Sequence, residues 1–119
     1  MDSILSSIKK LLGIDESYEH FDGDIIFHIN SALMALTQIG VGPEEGFSIS
    51  DKTATWNNFI GTDKLESAKL YIFCKVRLGF DPPSSSFVLE AIERQAKELE
   101  WRLNVQVDKP VPEVIVEEV

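Results

Sequence analysis

An all-α fold, a small bundle of about four main helices, follows from three features of this 119-residue sequence. Apolar residues recur three and four positions apart through most of the first hundred residues. Glycines and a proline pair close those periodic segments, as helix ends require. Valines alternating with other residues, a pattern of extended backbone, appear only in the last stretch. The chain has the length of one domain, and 44% hydrophobic against 26% charged residues is enough apolar material for a packed core. These patterns divide it into a helical domain over 1–104 and an extended C-terminal arm over 105–119.

The first helix is short. Asp2 or Ser3 caps it, Ile4, Leu5, Ile8, Leu11 and Leu12 give its apolar side, and Gly13 stops it. The acidic stretch from Asp15 to Asp24 leads into a second helix whose stripe is Ile25, Ile29, Ala32, Leu36 and Ile39, ended by Gly40. From Val41 to Gly61 the periodicity fails. Gly42, Pro43 and Gly46 punctuate a loop long enough to point to function, and Trp56, Phe59 and Ile60 suggest one helical turn that anchors it. Asp63 and Glu66 resemble an acidic capping box opening a third main helix to about Leu78. That helix is apolar nearly all round, which predicts the central position, and Pro82-Pro83 stops it. Ser84, Ser85 or Ser86 caps the last helix, from about Phe87 to Leu103, with Val88, Ile92, Ala96, Leu99 and Leu103 as its inner stripe. Prolines at 110 and 112 exclude a helix beyond.

Charge excludes one class of function. Twenty acidic against 11 basic side chains leave a net charge of −9, the wrong sign for a protein that clamps DNA by its phosphates. The single cysteine, Cys74, lies among apolar residues and reads as a buried, reduced thiol of a protein made in the cytoplasm. The first lysines follow the apolar residues instead of preceding them, and no apolar run nears the roughly 18 residues of a membrane span. Neither export by a signal peptide nor a membrane position is expected.

Catalysis is disfavoured on the residues themselves. Phosphate-binding glycine loops, H-E-x-x-H, cysteine pairs and G-x-S-x-G are all missing. His20, Asp24 and His28 fall at i, i+4 and i+8 and could hold a metal ion, but with Asp22 they equally make a solvated acidic helix start. The other carboxylates occupy helix surfaces and caps, where a desolvated acid pair has no cavity. We therefore expect no catalytic residue, no cofactor and no metal site.

Apolar residues left over from the core are more informative. Phe87 and Trp101 share a flank of the last helix with Arg94 and Glu98, about 100° or more from its inner stripe. Phe27 and Met34, one heptad apart, point away from the stripe of the second helix. In a chain this short the loop or the arm can cover one such patch but not both, so subunit contacts are expected there. Trp56 and Phe59 anchor the loop. The arm, with Val105, Val107, Val111, Val114, Ile115 and Val116, is either a partner-binding strand or a frayed terminus.

From Ile4 to Leu103 the sequence resembles the head-tail connector family of long-tailed bacteriophages and prophages, also described as DNA-packaging or head-completion proteins. The resemblance rests on the order of helices and on Thr55-Trp56-Asn57-Asn58-Phe59. It rests also on Tyr71-Ile72 followed by Lys75-Val76-Arg77-Leu78 and Phe80-Asp81-Pro82-Pro83, and on Glu98-Leu99-Glu100-Trp101-Arg102-Leu103. It implies a non-enzymatic structural protein of the virion. Such a protein forms a ring, twelve-fold by resemblance, under the portal protein, extends the DNA exit channel and docks a stopper or tail-completion protein. DNA would pass without sequence-specific binding, which suits an acidic protein. The alternative classes are a small helical protein-binding regulatory module unrelated to virion assembly and, more remotely, a metal-dependent enzyme using the His20 cluster.

Overall fold

The computed structural model describes residues 3–61 and 65–108, the last three by their backbone. Its helices are α1 (Ile4–Leu12), α2 (Asp22–Gln38), the one-turn α3 (Trp56–Phe59), α4 (Leu65–Phe80) and α5 (Ser86–Asp108). No strand occurs among the described residues, and the all-α expectation holds.

Each end has a local cause. The Ser3 hydroxyl accepts from the Ser6 N–H at 3.2 Å and caps α1. Gly13, at φ 82°, takes the left-handed turn that closes the helix, its N–H donating to the Lys10 carbonyl. At the end of α2 the N–H groups of Gly40 and Val41 donate back to the carbonyls of Thr37 and Leu36, which satisfies acceptors of the last turn. Ser85 starts α5: its hydroxyl accepts from the Val88 N–H and its carbonyl from the Leu89 N–H. The acidic cap expected at Asp63 lies outside the described residues.

α4 is the central helix, packed between α2 and α5, with α1 lying against α2 and α4. Ala68, Tyr71, Ile72, Cys74 and Val76 bury its length, and burial pushes the Cys74 thiol up from its ordinary value. α2 contributes Ile25, Ile29, Ala32, Leu33 and Leu36. Near the end of α4 a methyl on Gly79 would stand 2.5 Å from His28 Nδ1 of α2, so a larger residue there would have to displace the imidazole. α5 buries Ala96, Leu99 and Leu103.

Tyr71 ties α4 to α5. Its hydroxyl donates to Glu100 Oε2 at 3.1 Å, and burial, then the Glu100 charge and this hydrogen bond, hold its ionisation far above the usual 10.0. A raised value disfavours the phenolate in the fold. Stability from this group is therefore fully present below pH 10 and is lost progressively as the pH rises above it. Denaturant midpoints should fall above that pH, and Tyr71→Phe should flatten the fall.

Four expectations are corrected. Leu11, in the last turn of α1, is exposed, whereas Ile4, Leu5 and Ile8 of the same apolar side are buried. Val88 is also exposed, while the neighbouring Leu89 is half-buried. His20 precedes α2 and stacks beside Tyr18 and Phe21, so it does not share a helical face with Asp24 and His28. Finally, α5 runs on to Asp108, which places Val105 and Val107 in helix and not in an extended arm. Alternation of valines is a weak signal when a helix is already propagating, since elongation needs one residue fixed per new hydrogen bond. Val111, Val114, Ile115 and Val116 lie outside the described residues.

Candidate interaction surfaces

Among the described residues, the apolar patches expected on the two helices that flank α4 are both exposed. On α5, Phe87 is 79% exposed and Trp101 65%, with Arg94 and Glu98 exposed between them. Val105, 44% exposed, prolongs the same line. These residues point nearly opposite to Ala96, Leu99 and Leu103, which hold α5 on α4. The polar pair is partly tied within the helix: Arg102 donates to Glu98 Oε2 at 2.7 Å.

On α2, Phe27 and Met34 are 66% and 63% exposed, one heptad apart on the side away from Ile25 and Ile29. Phe27 meets the His28 ring edge-on at 5.3 Å. Met34 borders a shallow depression shared with Asn30, Thr37 and the loop residues Glu45 to Ser48. The α2 patch is therefore continuous with the long loop, whereas the α5 patch is not.

That loop is held, although it has no regular structure. Asn30, in mid-α2, donates through Nδ2 to the Ile49 carbonyl at 2.9 Å and accepts the Ile49 N–H on Oδ1 at 2.8 Å. A side-chain amide thus completes the hydrogen bonds of one loop residue as a neighbouring strand would. Val41 and Ile49 are buried, and Gly42, at φ 89°, passes so near Phe59 that a methyl there would stand 2.4 Å from the ring. Trp56 is wholly buried, donates its indole N–H to the Ser7 hydroxyl at 3.1 Å, and has the Lys69 ammonium over its ring. Phe59 is buried beside it and packs on Phe47. A bridge between Ser3 and Thr55, with the Ile4 N–H donating to the Ala54 carbonyl, joins the loop's end to the start of α1. Asn30 was not singled out by the sequence; an asparagine beside Ile29 within an apolar stripe was the available sign.

Lys9 was also missed. It is 2% exposed, and its ammonium donates to the carbonyls of Glu16 and Tyr18 at 3.0 and 2.7 Å and lies 2.8 Å from Asp22 Oδ1. That carboxylate oxygen is buried and has the ammonium as its partner in ion-pair, not hydrogen-bond, geometry. The lysine fastens the 13–21 connection to the start of α2, where Asp22 and Asp24 also complement the helix dipole. Lys9 falls next to Leu5 on the helical wheel, which was the sign of its burial.

His20, Asp24 and His28 do not converge, and among the described residues no group of three or more metal-ligating side chains does. No helix of the described residues is long and apolar enough to cross a membrane.

A compact three-helix layer with apolar side chains on both outer helices is the form of a small structural protein that works by contact with other chains. Residues 4–110 match the family model described as phage connector protein, and the chain belongs to that family. Members are structural components of the virion that interact with other head and tail proteins. Comparison with curated proteins and with solved structures gives no significant match.

Proposed function

We propose that this connector assembles as a ring under the portal protein, lengthens the DNA exit channel and docks the next connector or a tail-completion protein. The observation that carries this reading is the presence of two separate exposed apolar patches on opposite flanks of α4, Phe27 with Met34 and Phe87 with Trp101. A closed ring needs two different faces on each subunit, each complementary to the other. Arg94 and Glu98 supply polar register within the α5 patch, and the loop from Val41 to Thr55, continuous with the α2 patch, faces the channel or a partner. The segment beyond Asp108 reaches the adjacent ring. A charge of −9 lets DNA phosphates slide past without being held.

Native mass measurement with and without the cognate portal protein tests this. A ring-sized assembly that forms in the presence of portal supports it; a chain that ignores portal overturns it. Trp101→Ser should abolish the assembly while changing folding stability by no more than about 0.5 kcal/mol, since the indole is on the surface.

A further inference from the structure

The exposed line on α5 has a regularity that subunit contact alone does not require. Phe87, Ala91, Arg94, Glu98, Trp101 and Val105 are spaced four, three, four, three and four residues apart, the spacing of a coiled-coil seam. All are exposed except Ala91, which is partly buried, and the line runs for about 27 Å at 1.5 Å per residue.

We propose that this seam pairs with the same seam of a second copy of the chain, antiparallel about a two-fold axis. Its order is complementary to itself when reversed. With the axis midway between Arg94 and Glu98, Phe87 meets Val105, Ala91 meets Trp101 and Arg94 meets Glu98, and each layer occurs twice. The small side chain of Ala91 leaves room for the indole, and the two central layers join opposite charges. Glu98 spends Oε2 on its own Arg102, and Oε1 takes the guanidinium of the second copy. A parallel pairing would stack Arg94 on Arg94, Glu98 on Glu98 and Trp101 on Trp101. Like charges in adjacent layers disfavour that arrangement. The seam is neutral in sum, so it brings together two copies that otherwise repel.

This contact closes at two copies, whereas a ring contact is heterologous. Granting the ring proposed above, the dimer is the free protein's form, and assembly on the portal must open it because both use the α5 face. Premature rings are thereby suppressed.

Sedimentation equilibrium of the full chain without portal tests the pairing. The wild type should be dimeric. Arg94→Glu alone and Glu98→Arg alone should each weaken the dimer about tenfold or more, since two attractive layers become repulsive. Carrying both substitutions on one chain should restore it, because the layers are again opposite in charge. Circular dichroism verifies that each variant remains helical. A monomeric wild type, a species larger than two, single variants that pair like wild type, or a double variant that fails to recover would each overturn the proposal. Portal is absent throughout, so a dimer without portal-dependent rings defeats only the ring, and rings from a monomeric free chain defeat only the dimer.

Discussion

Trp56→Ala should destabilise the protein by about 3–5 kcal/mol, a large part of what a domain of this size has. The indole is completely buried in the main core and joins three parts of the chain: it donates to Ser7 of α1, lies under Lys69 of α4 and begins the turn that closes the long loop. Its removal opens a cavity and leaves the end of the loop without its anchor. Urea denaturation should show a lower midpoint at unchanged slope. Phe87→Ala, which removes an aromatic ring from the surface, should change the stability of the monomer, measured at a protein concentration too low for pairing, by no more than about 0.5 kcal/mol. If the two variants lost similar stability, the division between core and contact aromatics drawn from burial would be wrong.

Lys9→Ala should cost about 2–3 kcal/mol. It deprives two carbonyls and a buried carboxylate oxygen of their shared cation, and uncompensated buried polar groups are expensive. Asp22 retains 24% exposure, so water can reach part of it and the loss stays below that of a fully enclosed pair. Lys10→Ala, at the exposed neighbouring position, is the control. A loss for Lys9→Ala no greater than the control's would remove the pair from the account of stability.

Much of this architecture was legible because the helices obey one period. The stripe of Ile25, Ile29, Ala32 and Leu36 is buried as spacing demands, and α4, apolar all round, is central. The exposure of Phe27, Met34, Phe87 and Trp101 was legible for the same reason: they are the apolar residues that the period leaves outside. Failures came where burial depends on partners distant in sequence or on where helices cease to overlap. Leu11 and Val88 belong to apolar sides on the wheel, but both are near helix ends where the neighbouring helix no longer covers them. Lys9 lies beside the apolar side of α1, but the partners that let its charge be buried there are carbonyls of an irregular connection, which periodicity does not foretell. α5 runs past the first of the valines because helix propagation outweighs valine's preference for extended backbone.

The clamp of Asn30 on Ile49 bears on how tightly the loop can be recognised. Ordering a free segment costs about 1–2 kcal/mol per residue, and a partner that must impose that order gives up affinity accordingly. Here the 41–55 segment is already fixed by folding, through one amide, two buried aliphatic side chains and the turn at Trp56. A protein that meets it encounters a ready-made contour and can commit nearly all of its contact energy to affinity. Loosening the amide would leave the chemistry of that surface unchanged and weaken its grip solely by restoring its freedom.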